Sequence, residues 1–282
     1  MQRTEDGKIE IKFEINRILK FIRHIAEVNS VASAIYHLTK TSDLDHIDPL
    51  ETDGLAIKFV NENGSSSVTA PKIVEWVFKK AFEDFIIGLT QSLTESYILL
   101  KSVALATKYS SVTCPDESTL QKELDAISLK AHKLHFPTLI ENIEEMLQEQ
   151  LSLKEEIISI NQVRNCLVHK NAIVTESPAL YLKYIKMQMY VQKGGQMREL
   201  TKNLKSEKFL TEKLEIQSLA TCLAFKMGEH LVFTPDIFKD VTYTCILFIH
   251  ELIYKLPLPQ AMKDQIVSPF TINLITDFQF QQ

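Results

Sequence analysis

Ile158-Ser159-Ile160-Asn161-Gln162-Val163-Arg164-Asn165-Cys166-Leu167-Val168-His169-Lys170-Asn171 is the stretch on which the reading of this 282-residue chain turns. Ile157, Ile160, Val163 or Arg164, Leu167 and Val168 recur at helical spacing, which predicts a helix from about Lys154 to Lys170 with that face buried. Asn171 suits a left-handed stop. Asn165 and His169 are four positions apart and share a helix face. Arg164 stands about 100° round the helix from Asn165, on a stem long enough to reach the same face. The spacing predicts that the three side chains converge near the C-terminal end of the helix.

Upstream, Ile15, Ile18, Leu19, Ile22, Ile25, Val31, Ile35 and Leu38 fit one helical face, while Ile9, Ile11 and Phe13 alternate and allow a short strand instead. Thr41 to Ala70 has loop composition around one short strand, Leu55–Val60. Pro71 opens a helix or two reaching about Tyr109, with Gly88 a local weakness and Val77, Phe78, Phe82, Phe85, Leu89, Leu93 and Tyr97 on the apolar face. Asp116-Glu117 opens another helix to about His135, and Pro137–Leu151 is amphipathic.

After Pro178 the period changes. Ile185, Met187, Met189 and Val191 alternate with Lys186, Gln188, Tyr190 and Gln192, which predicts a strand. Lys193-Gly194-Gly195-Gln196 is a hairpin turn with a short return at Met197–Leu200. A charged stretch, Thr201 to Glu215, follows. Leu219–Met227 and His230–Thr234 read as an apolar pair around Gly228-Glu229. Thr234-Pro235-Asp236 caps a helix to about Lys255, and Phe270–Ile275 reads as a final strand. The expected organisation is mainly α: an N-terminal region, 1–70, packing on a helical bundle, 71–175, then a smaller mixed α/β segment with a β-hairpin, 176–282.

Composition narrows the function classes. Seven Gly and nine Pro favour long helices over a turn-rich sandwich or a Gly-looped nucleotide site. The net charge of −5 counts against a general polycation. Residues 151–213 nevertheless hold 11 Lys/Arg against 6 Asp/Glu. Within that excess, Lys170, Lys183, Lys186, Lys193 and Arg198 are candidate RNA contacts; an ordinary solvated hairpin explains them as well. Cys114, Cys166, Cys222 and Cys245 lack pairing or ligand spacing and read as reduced thiols. His132 and His135 have no evident third ligand, so no metal site is expected. Glu141, Glu144 and Glu145 read as a solvated helix face; Glu83 and Asp84 are candidates to approach the Arg164–His169 cluster from a neighbouring helix. The polar, mixed-charge Met1–Lys12 predicts no signal peptide, and no apolar run approaches the ~20 residues of a spanning helix. A cytoplasmic protein with no membrane partner is expected.

A histidine serves as general acid or base, and an arginine clamps a phosphate. The pair needs no metal where the substrate brings its own nucleophile, as RNA does in its 2′-hydroxyl. The same two residues serve equally as a helix-end cap or ion pair. Arg164-Asn165-Cys166-Leu167-Val168-His169 resembles the Arg-x(4–6)-His motif of the HEPN superfamily, helical domains prominent in prokaryotic toxins and defence systems, in which a polar residue commonly follows the arginine. The lead-in Ser159–Val163 and the run Phe82–Tyr97 are similar to the corresponding HEPN helices, so the likeness covers about residues 71–175.

The resemblance implies a HEPN-like bundle and a metal-independent, cofactor-free endoribonuclease, a toxin or antiviral effector working as a homodimer with one composite cleft. It implies His169 as acid/base, Arg164 on the scissile phosphate and Asn165 orienting either, with a 2′,3′-cyclic phosphate and a 5′-hydroxyl as products. An RNA substrate and an antitoxin or defence-system partner follow from the same likeness. Lys170-Asn171 stands where the toxins paired with small nucleotidyltransferases carry x-Tyr, a departure from that particular partnership. The alternative is a non-catalytic dimeric helical interaction protein with an inactive HEPN fold.

Overall fold

A computed structural model describes residues 70–110, 116–175, 179–193, 196–199, 213–261 and 263, together with 2–3, 9–10 and scattered positions from 18 to 38. The expected strands Leu55–Val60 and Phe270–Ile275, the Gly194-Gly195 turn and Cys114 lie outside the described residues.

The chain is mainly helical with a small antiparallel sheet. Two short strands, β1 (Gln2–Arg3) and β2 (Ile9–Glu10), pair antiparallel, so the alternation at the start of the chain prevails there over a helix. Helix α1 (Ala70–Ser110) follows, unbroken through Gly88 and about 60 Å long at ~1.5 Å per residue. Its buried stripe, Val77, Phe78, Ala81, Phe82, Phe85, Leu89, Leu93 and Tyr97, keeps the three-and-four spacing that makes it one helix. Ser92 and Ser96, both fully buried, remain satisfied by donating to the carbonyls of Ile18 (3.0 Å) and Ser92 (2.8 Å).

Helix α2 (Glu117–Ala131) starts on Asp116, whose carboxylate accepts the Thr119 N–H at 2.7 Å. It stops before His132, short of the expected end. Helix α3 (Phe136–Leu147) buries Phe136, Leu139, Ile140 and Ile143 against α1. Helix α4 (Lys154–His169) buries Ile157, Ser159, Ile160, Val163, Cys166 and Leu167. Glu144 is not a solvated acid: it accepts the Leu151 N–H at 2.9 Å and pairs with Lys154 at 2.6 Å, clamping the α3–α4 turn, while Glu141 and Glu145 are exposed.

Strands β3 (Leu180–Lys193), β4 (Gln196–Glu199) and β5 (Lys213–Phe225) form one sheet in the order β4-β3-β5. The expected hairpin is present, pairing Lys193 with Gln196, but β5 is the longer partner, in register from Leu180↔Phe225 to Gln192↔Lys213. It begins inside the stretch expected to be a charged connection. Nor do Leu219–Met227 and His230–Thr234 pair with each other. His230 bridges Ile173 instead, because the turn at Gly228, where φ is +81°, aims the chain at the exit of α4.

Helix α5 (Pro235–Lys255) opens on Thr234, which accepts the Ile237 N–H at 3.3 Å. From Leu180 to Met187 the side of β3 away from β5 is covered by helices rather than by a strand. The N–H groups of Lys183, Ile185 and Met187 donate to Ser159 of α4 (2.9 Å) and to Thr244 (2.8 Å) and Asp240 (3.4 Å) of α5. Alternate strand residues point their N–H groups to one edge, so three side-chain acceptors two residues apart satisfy it.

One apolar core runs through α1, α3, α4, β3 and α5. Phe78, Phe82 and Phe85 of α1 meet Phe238 of α5 at ring-centroid distances of 5.3 to 6.3 Å, and Phe233 stacks on Phe82 at 5.0 Å. Among the described residues, no helix is long and apolar enough to cross a membrane.

Candidate functional site

The exit of α4 is fixed by backbone bonds. Asn171 and Ala172 both adopt left-handed φ, 50° and 62°, so the helix ends where the sequence placed its stop. The N–H groups of Lys170 and Ala172 both donate to the Cys166 carbonyl, at 3.0 and 3.2 Å. The next residues are clipped to the 228–231 turn: Leu231 N–H to Ala172 O (2.8 Å), Val174 N–H to Glu229 O (3.0 Å) and Gly228 N–H to Val174 O (2.8 Å). The left-handed conformation of Ala172, costly for a residue with a Cβ, persists because bonds on both sides determine it.

The chain then returns along α4 as β3. Ser159 touches Lys183. Seven residues of helix at ~1.5 Å and three of strand at ~3.3 Å both span about 10 Å, so Cys166 lies level with Leu180. Between them opens a cleft of about 660 Å³ lined by Asn165, Cys166, His169, Lys170, Leu180 and Tyr181, among others. Its volume is in the range of small-molecule and cofactor pockets. Asn165 and His169 are exposed there and Lys170 is half-buried. Asp and Glu are absent from its described lining.

Arg164 does not line this cleft. It borders an adjoining groove of about 370 Å³ between α1, the start of α3 and α4, and Asn165 and Gln162 line both depressions. Arg164 and His169 are five positions apart, hence about 140° apart round the helix, and the expected convergence is only partial. Asn165 links the two: its Oδ1 accepts an Nη1–H of Arg164 at 3.1 Å. The other terminal nitrogen is 4.0 Å from Glu83 Oε1 of α1, so Glu83 does approach the arginine. Lys80 holds Glu83 and Asp84 in turn, at 3.2 and 3.1 Å, and its pKa is raised chiefly by the Asp84 bond. The Nε of Arg164 is enclosed and has no hydrogen-bond partner among the described residues. The guanidinium is thus oriented by one good bond and one long contact, with donor capacity to spare.

The other candidate cations divide. Lys170 lines the cleft. The ammonium of Lys183 bonds to Glu155, which raises its pKa and lowers that of the carboxylate, so it is committed to the base of α4. Lys186 is exposed on the strand, outside the cleft lining. The side chains of Lys193 and Arg198 lie outside the described residues. His132 and His135 flank the α2–α3 junction and are exposed, and no group of three His, Cys, Asp or Glu with metal-binding geometry occurs among the described residues. Cys166, Cys222 and Cys245 form no disulfide; Cys166 is buried and donates to Ile173 O at 3.2 Å.

Sequence reasoning overlooked Tyr181. It lines the cleft with His169 only because β3 folds back along α4, and no local spacing relates the two residues. Comparison of the chain with protein-family models, with curated proteins and with solved structures gave no match.

Proposed function

We propose that this protein is a metal-independent endoribonuclease of the HEPN type, a toxin or antiviral effector that cleaves RNA through its 2′-hydroxyl at a cleft shared by two copies. The observation that carries the reading is the exposed end of α4. His169 and Asn165 are exposed on an open cleft that Lys170 also lines, and Arg164 borders the adjoining groove, joined to Asn165 by a hydrogen bond. An arginine and an amide beside a histidine offer a phosphate hydrogen-bond donors and a proton-transfer group.

In the proposed reaction a neutral imidazole takes the 2′-hydroxyl proton. The 2′-oxygen attacks phosphorus, and the P–O5′ bond breaks. The leaving 5′-oxygen takes a proton from an acid, leaving a 2′,3′-cyclic phosphate and a 5′-hydroxyl. Arg164 neutralises charge on the phosphorane, and Asn165 orients the arginine it already bonds. One chain brings a single motif histidine, whereas the step uses a base and an acid. A second copy of the chain supplies the other.

The test is RNA cleavage in EDTA by the wild type and by His169→Ala and Arg164→Ala. The wild type should cut, His169→Ala should lose about 10²–10⁴-fold and Arg164→Ala about 10²–10³-fold, with circular dichroism unchanged. Equal cleavage by His169→Ala would sink the mechanism. A non-catalytic dimeric interaction protein is the second reading, favoured by the contacts of Arg164 with Glu83 and Asn165, which also suit a structural ion pair. Complete inactivity of the wild type towards RNA would select it.

A further inference from the structure

Tyr181 is 46% exposed although it stands on a strand whose next residue, Leu182, is fully buried. The register explains the exposure. Tyr181 lies directly opposite Ala224 of β5, and paired residues project from the same face of an antiparallel sheet. A methyl group cannot cover a phenol ring. The next residue on the same strand face, Lys183, is drawn to Glu155 of α4. The ring therefore stays partly exposed at the cleft that Asn165, His169 and Lys170 also line.

A half-exposed aromatic ring beside the imidazole of His169 and the amide of Asn165, with Cys166, Val174 and Leu180 as apolar lining, matches a nucleotide: base on the ring, phosphate on the polar rim. We infer that Tyr181 is a base-stacking subsite of this cleft, with an unpaired base next to the scissile phosphate lying on the Tyr181 ring. The inference rests on the ribonuclease reading above and adds a base-binding residue to it. A base inside an A-form duplex is already stacked on both faces and cannot reach a ring on the protein. Stacking tolerates every base, so Tyr181 sets the position of the strand more than its sequence.

Binding separates this inference from the reaction. A fluorescent oligoribonucleotide with 2′-O-methyl sugars keeps its bases and phosphates and lacks the nucleophile, so intact wild-type protein can be titrated without cleavage. The wild type should bind it more tightly than the same sequence in a duplex. Tyr181→Ala and Tyr181→Leu should each weaken binding about 5- to 150-fold, the range of one lost stack, whereas Tyr181→Phe should hold within about twofold. An abasic oligonucleotide should bind wild type and Tyr181→Ala alike. Thermal melting checks that the variants fold; Tyr181→Phe and the abasic strand keep the test decisive if Tyr181→Ala does not.

Equal binding of the intact strand by wild type, Tyr181→Ala and Tyr181→Leu, with cleavage of unmodified RNA retained, overturns the stacking subsite alone. Duplex RNA binding as tightly as the single strand overturns it too. Absence of both binding and cleavage by the wild type overturns the ribonuclease reading and this inference together.

Discussion

At the scale of single residues, Asn165 and Asp240 show how one polar side chain is given a task by its surroundings. Asn165 is the joint between the arginine groove and the histidine cleft, and its position one residue from Arg164 and four from His169 was plain in the sequence. The approach of Glu83 from α1 was only a candidate until the packing of α1 on α4 placed it beside Arg164. Asp240 lies buried on α5, where it accepts the Met187 N–H, and desolvation raises its carboxyl pKa above the usual 3.8. The folded chain thus holds that proton more tightly than the unfolded chain. Its contribution to stability is present in full below the unfolded pKa and is lost as pH rises through the folded one. Asp240→Asn retains an acceptor oxygen and removes the titration. In urea unfolding followed from pH 4 to 7, the variant should gain stability relative to wild type as pH rises. A constant difference across that range would show that Asp240 does not titrate differently on folding.

At the scale of elements, the covered edge of β3 joins the halves of the chain. Ser159 from α4 and Thr244 and Asp240 from α5 accept successive N–H groups where a neighbouring strand would otherwise stand. Thr244→Val keeps the shape and leaves the Ile185 N–H without its acceptor. The expected loss is about 1–3 kcal/mol by chemical denaturation, the cost of a buried unsatisfied donor. A variant within 0.5 kcal/mol of wild type would mean, on the same scale, that another acceptor replaces the hydroxyl. Helices α1 and α4 were legible because their apolar residues repeat at three and four over long runs. Strand β5 was not. Gln217-Ser218-Leu219-Ala220-Thr221-Cys222 has little contrast between alternate positions, and its state is set by the long register it makes with β3. Glu144 was misread for a related reason: an acid on a helix surface becomes a clamp only when the next turn folds over it.

For the whole molecule, the apolar core is continuous across the boundary expected near residue 175. Phe238 of α5 sits among Phe78, Phe82 and Phe85 of α1, so the last described helix completes the packing of the first long one. Phe238→Ala should cost about 3–5 kcal/mol, the usual range for truncating a buried aromatic. Followed by amide hydrogen exchange, the loss should lower protection in α1 and α4 together with β3 and α5. Weakened protection confined to residues 179–255 would identify the C-terminal part as a separate unfolding unit.

The sequence alone determined where the long helices run, where α4 stops and that Asn165 and His169 share one of its faces. Those properties follow from the 3.6-residue period and from local backbone preferences, which act between near neighbours. Tertiary structure alone decided that Arg164 turns towards Glu83, that a cleft opens at the exit of α4, and that Tyr181 lines it with His169. Each depends on residues far apart in the chain, brought together by burying α1, α3, α4, β3 and α5 in one core and by satisfying the edge of β3 with helix side chains.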